Sequence, residues 1–333
     1  MNRTRTRFHR VELESGYAVG SVNAWLVDGD PFTLVDAGSR LPGAIERVEA
    51  ACAALGRRVE QIEQLILTHH HVDHVGLAAE VARRSGATVV ALAQTAAYLA
   101  DWDAQVARDV AFARAALRVH GFPAAIAEET GARLQAEARW AGAVRVDRRL
   151  AVGEVVAIGS GSFEVLHRPG HSETDTVFLD AAGGVTISGD HLMRDHASMP
   201  MFDRPIDTAT EYVAQARRCE RLLRYRGSLA DSLHDLDGLM IPGHGEPFEQ
   251  PREVIGRHLA FQDEQARQVL DLFGRGETLS ACAVAERLWP RTAFRWPFLS
   301  ASTILGVLGR LADEERLTPV ALDGDAIAYR RPR

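Results

Sequence analysis

The chain has 333 residues, 46% of them hydrophobic, and a formal net charge of −7. That length supports a sizeable core and more than one domain, and the acidic balance excludes a global basic footprint for nucleic acid or an anionic membrane. All 38 basic residues are arginine, which excludes lysine Schiff-base chemistry.

The first sixteen residues, MNRTRTRFHRVELESG, carry basic groups with no apolar stretch after them, unlike a secretory signal. No apolar run elsewhere is long enough to span a bilayer, so a cytoplasmic protein is expected. Cys52, Cys219 and Cys282 form no CxxC pair and read as ordinary buried thiols of a reducing compartment. Val22–Val27 and Phe32–Val35 read as strands around an Asp28-Gly29-Asp30 turn, the second ending in Asp36-Ala37-Gly38. A helical period runs over Leu41–Leu55, a short buried strand over Ile62–Leu67, a helix over Leu77–Arg84 and a strand over Thr88–Leu92. An alanine-rich helical region follows, about 94–142, broken near Gly121-Phe122-Pro123. Strand signals return at 154–158, 163–167, 176–179 and 185–188, and helices are expected over 208–223 and 251–273.

The last segment has a pattern of its own. Helices over 278–288 and 300–315 precede strands at 317–322 and 326–330, joined by Asp323-Gly324-Asp325, a strong hairpin signal. Helix, helix and hairpin make a winged-helix-like arrangement, which places a domain boundary near 258: a catalytic domain over 1–258 and a small domain over 259–333. Residues 261–333 hold ten arginines and ten acidic residues, and the second helix ends in Asp313-Glu314-Glu315. That charge opposes phosphate binding, so a structural or dimerising role is favoured over a nucleic-acid role.

The chemistry sits in LTHHHVDHVG, residues 67–76. Side chains alternate along extended backbone, so His69-x-His71-x-Asp73-His74 can aim several groups at one point. Imidazole and carboxylate are ligands for a borderline divalent ion such as zinc. Three later loops have the same make: His171 in RPGHSETD, Asp190 in ISGDHL and His244 in IPGHGEP, each just past an expected strand and framed by glycine or proline. Ligand sites in layered folds are built from such loops.

The ordered set HxHxDH, PGH, GD and PGHG resembles the metallo-β-lactamase superfamily over about residues 10–250, and LVDAG at 34–38 fits that family's second strand. The resemblance implies an α/β fold, an αββα sandwich with its metal site along one edge of two sheets. It also implies that His69, His71 and His171 hold one metal, that Asp73, His74 and His244 hold a second, and that Asp190 bridges them. Zinc is the default for both ions, with iron and manganese also compatible with such ligands. Two such ions about 3.5–4 Å apart acidify a bridging water to near neutrality, and the resulting hydroxide can attack a carbonyl or phosphorus centre. Asp73 or Asp190 could shuttle the proton to the leaving group. Asp36 is expected to orient a ligating imidazole.

The remaining histidines have plainer readings. Alternation turns His70 and His191 away from the metals. His167, His196 and His234 carry no assignment, and His9, His120 and His258 read as surface or partly buried residues. Thr68 and Ser172 can hydrogen-bond the loop backbone. The helical region, with Trp102, Val106, Val110, Phe112, Leu117 and Phe122, could form a lid over an apolar substrate arm, although plain packing explains most of these residues. Residues 193–202 are a second candidate wall, where Arg194 could meet an anionic substrate but reads more simply as solvated. The expected reaction is hydrolysis of a small acyl compound: a thioester of the glyoxalase II type, an ester or a lactone. A phosphodiesterase or endoribonuclease of the lactamase-β-like type is the alternative, since that branch also carries a small C-terminal domain, and the acidic balance weighs against it. A β-CASP nuclease would need a second large domain, a flavodiiron oxidoreductase would need a flavodoxin-like extension, and an iron persulfide dioxygenase shares part of the metal set. A metal-stabilised DNA-binding regulator is the non-enzymatic reading. The expected partner is a small-molecule substrate, with no nucleic acid or membrane and with homodimerisation left open.

Overall fold

The computed structural model describes residues 6–195, 198–206, 219–322 and 324–333. The chain divides into two compact units. One comprises Met1–Asp103, Glu137–Ser198 and Ser232–Val254; the other comprises Ala104–Ala136, Met199–Asp231 and Ile255–Arg333.

The first unit holds two sheets. One runs β1 (Phe8–Tyr17), β2 (Gly20–Val27), β3 (Thr33–Val35), β4 (Gln64–Leu67), β5 (Thr88–Leu92) and β6 (Arg148–Leu150) in that spatial order. The other is made from β7 (Val155–Ile158), β8 (Gly161–His167), β9 (Thr176–Asp180), β10 (Val185–Gly189) and β11 (Leu239–Pro242), in the order β11-β10-β9-β8-β7. Trp25, Val35, Ile66 and Val90 from the first sheet share one buried core with Phe163, Val165, Phe178 and Ile187 from the second. The first sheet begins with a β1–β2 hairpin whose Val11 and Leu13 are buried while Glu12 and Glu14 are exposed. That period-two alternation is the sequence signal for β1, a strand additional to those expected. β3, β4 and β5 pair in parallel, and every residue of β4 is buried. Parallel strands covered on both faces read as continuous apolar runs, which is why Ile62–Leu67 reads as a buried strand.

Strand direction positions the site. β8 and β9 pair antiparallel, as do β9 and β10, while β10 and β11 pair parallel. β8, β10 and β11 therefore point the same way, and the segments carrying His171, Asp190 and His244 leave their carboxyl ends. His69 leaves the end of β4, and Asp36 leaves the end of its parallel neighbour β3.

The second unit is centred on a helical core. The helical region breaks at the expected Gly121-Phe122-Pro123, between helices Trp102–Val119 and Ala124–Glu137. Phe112, Leu117 and Phe122 are buried in one cluster with Val269, Phe273, Val284, Ile304 and Leu308. These three aromatic and aliphatic side chains are core residues and are not available as a lid. Their segment clusters with 255–333, so a single boundary near residue 258 divides the chain differently from its packing.

Thr278 and Leu279 form a short strand, β12, in place of the expected helix start. Ser280 then caps helix Ala281–Leu288, its hydroxyl accepting from the Ala283 amide at 3.1 Å. Helix Pro297–Asp313 follows, and β13 (Thr318–Ala321) and β14 (Ile327–Arg330) pair antiparallel beside β12. Most of the helix expected over 208–223, along with Asp323 of the hairpin turn, lies outside the described residues. Among the described residues no helix is long and apolar enough to cross a membrane. Cys52, Cys219 and Cys282 are free and buried.

The shared core makes the sandwich sensitive to cavities between its sheets. Phe163 is fully buried, edge-on to Phe8 at 6.4 Å. Phe163→Ala is expected to destabilise the protein by ~3–5 kcal/mol, read from the denaturant midpoint; an unchanged midpoint would contradict this packing.

Candidate metal centre

The histidine motif straddles a strand end and a helix start. β4 stops at Leu67, Thr68–His71 link it to a single helical turn, and that turn, Val72–Val75, carries Asp73 and His74. The 36–38 loop lies against this turn: Ala37 N donates to His74 O at 2.8 Å. Such an approach needs Gly76, where a Cβ would sit 2.4 Å from both Gly38 O and Arg40 N.

His69, His71 and His171 bring ligand atoms within 4.8 Å of one another; so do His69, His74 and Asp190, and so do Asp73, His74 and His244. The structure thus brings all of the sequence-predicted site residues into one constellation. Asp190 lies between the two flanking groups. Its Oδ1 is 3.4 Å from His74 Nε2, and its Oδ2 is 3.5 Å from His171 Nε2 and 3.4 Å from His244 Nε2. His244 Nε2 is also 3.4 Å from Asp73 Oδ2, and His71 Nδ1 meets His171 Nε2 at 2.9 Å.

The protein selects which nitrogen each imidazole presents. Asp36 Oδ2 accepts from His74 Nδ1 at 2.8 Å, which leaves His74 Nε2 facing the cluster. The same oxygen accepts from the Thr68 hydroxyl at 2.8 Å. With that proton committed, the Thr68 oxygen accepts from His69 Nδ1 at 3.0 Å, and His69 also faces the cluster through Nε2. His244 Nδ1 donates to Ser21 O at 2.7 Å, with the same result. Asp36 achieves this in the left-handed region, at φ 57°, a conformation aspartate tolerates better than most residues.

This donor set fits a divalent cation. His69 Nε2, His74 Nε2 and Asp190 Oδ1 are buried and, among the described residues, have no hydrogen-bond partner. His74 Nε2 and Asp190 Oδ1 face each other at 3.4 Å, and these buried donors converging on one point suit an electrophile such as a divalent cation. Gly243 completes the cradle: a Cβ there would sit 2.1 Å from Asp190 Oδ1.

Charge is arranged accordingly. Burial and the neighbouring His74 and His71 hold His69 well below the usual imidazole range, so it is neutral and ready to ligate. Burial opposes charge on His244, but Asp190 and Asp73 outweigh it and raise the imidazole to about 10. Burial likewise works against the Asp190 carboxylate, yet His244 and His74 hold it well below the usual carboxylate range.

Several supporting residues carry no metal-ligand pattern in the sequence. Asp175 accepts from Ser172 N at 2.9 Å and Ser172 Oγ at 2.6 Å, shaping the loop that presents His171. The spacing Ser172-x-x-Asp175 is the local signal for this turn. Thr174 Oγ1 meets His70 Nδ1 at 2.8 Å, and Thr176 N donates to Thr68 O at 3.0 Å, so the two histidine loops are tied together. His70 is buried against Tyr98 and belongs to this tie. His191 is fully buried on Ser232 Oγ at 2.8 Å. His120 and His258, expected at the surface or partly buried, are buried. Arg194 pairs with Asp195 at 3.0 Å on the exposed surface, and His196 lies outside the described residues.

Gly243→Ala is expected to lower metal affinity at least about tenfold, because its methyl would occupy the position of Asp190 Oδ1; parent-like metal content by elemental analysis would contradict the cradle. A proton on His244 must leave before that imidazole can ligate, so metal uptake at pH 7 is expected to release protons, and affinity is expected to rise with pH toward about 10. Calorimetry in two buffers of different ionisation enthalpy measures that release, and identical enthalpies would contradict it.

The metallo-beta-lactamase superfamily pattern matches residues 17–225. Probable metallo-hydrolase YqjP of Bacillus subtilis (strain 168) is 30% identical over 320 residues, covering 92% of this chain and 93% of that protein. Hydroxyacylglutathione hydrolase of Cereibacter sphaeroides is 29% identical over 170 residues, covering 50% of this chain and 49% of that protein. Among solved structures, a beta-lactamase domain protein from Burkholderia ambifaria gives a TM-score of 0.80 at 21% identity, covering 98% of this chain and 92% of its own. A metallo-beta-lactamase family protein from Thermus thermophilus gives 0.78 at 21% identity, covering 97% of this chain and 98% of its own. Such identities bear on the fold, whereas the superfamily match and the full-length relative bear on descent. By its sequence, its two facing sheets and its His/Asp constellation, the chain belongs to the metallo-beta-lactamase superfamily.

Proposed function

We propose that the protein is a binuclear metal-dependent hydrolase of small acyl compounds: thioesters, esters or lactones. The observation that carries this reading is the placement of Asp190, whose carboxylate contacts His171 on one side and His74 and His244 on the other. His69, His71 and His171 would hold one ion, Asp73, His74 and His244 the second, with Asp190 shared. Zinc suits this mixture of imidazole and carboxylate.

Divalent ions bound there supply Lewis acidity and a water acidified to near neutrality. The chain's own residues do the rest. Asp36, Thr68 and Ser21 fix the imidazole tautomers, so no donor has to reorient during turnover. His71 and His171 are half-buried while the other proposed ligands are buried, which supports substrate entry on their side. Asp73 or Asp190 would carry a proton to the leaving group, as the two carboxylates in reach. The partial relative named hydroxyacylglutathione hydrolase supports an acyl substrate. The net charge of −7 supports it too, since phosphodiester backbones are held by clustered cations.

The test is a hydrolysis panel with zinc-loaded and chelator-treated protein: a thioester, a lactone, a carboxylic ester, a chromogenic phosphodiester and RNA. Metal-dependent turnover of an acyl compound is expected. Turnover of the phosphodiester or RNA alone would overturn the reading, as would DNA binding without turnover. Asp190→Ala is expected to lose metal and about a hundredfold or more in kcat/KM, or ~2.7 kcal/mol of transition-state stabilisation, whereas His70→Ala should stay within about tenfold.

A further inference from the structure

The β2–β3 pairing covers only Trp25–Val27, which leaves the edge of β2 before Trp25 without a β3 partner. The Pro242–Gly245 loop fills that edge. Asn23 N donates to Gly243 O at 2.7 Å, and its side-chain Nδ2 donates to Pro242 O at 3.1 Å and to Gly245 O at 2.8 Å. Trp25 Nε1 adds a second donor to Pro242 O at 3.1 Å. From the other side, Gly243 N donates at 2.9 Å to the carbonyl of Gly189, the residue before Asp190. The loop is therefore clamped between β2 of one sheet and β10 of the other, with His244 held inside the clamp.

We infer that Asn23 is a positioning residue for metal binding: it fixes the height of the His244 loop so that Nε2 of that imidazole meets Asp190 and Asp73. Asn23 is 1% exposed, and both Nδ2 hydrogens are spent on loop carbonyls flanking His244. Two residues earlier on the same strand, Ser21 O accepts from His244 Nδ1 at 2.7 Å. β2 thus holds the loop backbone through Asn23 and the imidazole through Ser21. Without the Asn23 side chain, two carbonyls each lose a buried donor: Pro242 O keeps Trp25 Nε1, Gly245 O keeps the longer bond from Arg10 Nη1 at 3.3 Å, and the loop otherwise keeps its main-chain bonds to the two sheets and the Ser21–His244 bond. The expected consequence is a shift of His244 with little change at His69, His71 and His171. This inference rests on the reading of His244 as a ligand.

Zinc titrations of the full chain, with a competing chelator, test it on the parent, Asn23→Ala, His244→Ala and Val48→Ala. Val48 is fully buried in helix Ala44–Ala54 and controls for general loss of stability. Asn23→Ala is expected to bind zinc about 10–100-fold more weakly than the parent, in the same binding step that His244→Ala impairs, while Val48→Ala lowers the Tm without that defect. Should Asn23→Ala fail to fold, Asn23→Ser, which is too short to span both carbonyls, is measured the same way; Trp25→Phe, which removes one donor to Pro242 O, is expected to give a smaller loss in that step. Parent-like zinc binding by Asn23→Ala or Asn23→Ser, with His244→Ala impaired, overturns the inference alone. So does a defect matched by Val48→Ala. Parent-like binding by His244→Ala overturns both the inference and the ligand assignment beneath it.

Discussion

Asp36 accepts from Thr68 N, Thr68 Oγ1 and His74 Nδ1, all at 2.8 Å, from a backbone conformation unusual for a residue with a side chain. Through those bonds one buried carboxylate orients His74 directly and His69 through the Thr68 hydroxyl. A neutral histidine carries a lone pair on one nitrogen, and an acceptor for the hydrogen on the other fixes which nitrogen that is. The end of β3 therefore decides how the motif after β4 presents its donors. The parallel register of β3 and β4, Val35 beside Ile66, brings the two ends together.

The rest of the sandwich brings the remaining donors to the same edge. β8, β10 and β11 deliver His171, Asp190 and His244 from a second sheet, and close approaches, of Gly76 to the 38–40 backbone and of Gly243 to the Asp190 and His74 side chains, let the loops meet. Burial alone would strip charge from such a cluster. The opposing imidazoles and carboxylates maintain it, lowering Asp190 and raising His244 despite desolvation. His69 Nε2, His74 Nε2 and Asp190 Oδ1 lie within that balance as a group that could hold a cation.

Much of this is legible in the sequence, for a physical reason. His69, His71, Asp73, His74, His171, Asp190 and His244 each follow an apolar strand, the later ones in Gly- or Pro-framed loops, and it is their order along the chain that carries the superfamily resemblance. The supporting residues are harder to read. Thr68, Ser21 and Asn23 act through hydrogen bonds to groups distant in sequence, or through main-chain carbonyls that any residue supplies, and neither leaves a pattern. β1 is written in the alternation of Val11, Glu12, Leu13 and Glu14, but the basic residues before it draw attention to leader signals instead. Phe112, Leu117 and Phe122 show the limit of amphipathic reading: periodicity reveals an apolar face, while only packing shows that it is spent on the helices of the second unit.

The two-ion arrangement is tested most directly by anomalous diffraction at the zinc edge from crystals of the zinc-loaded protein. Two peaks about 3.5–4 Å apart are predicted, one among His69, His71 and His171 and the other among Asp73, His74 and His244, with Asp190 touching both. A single peak, or two peaks of which either lacks Asp190 as a ligand, would contradict it.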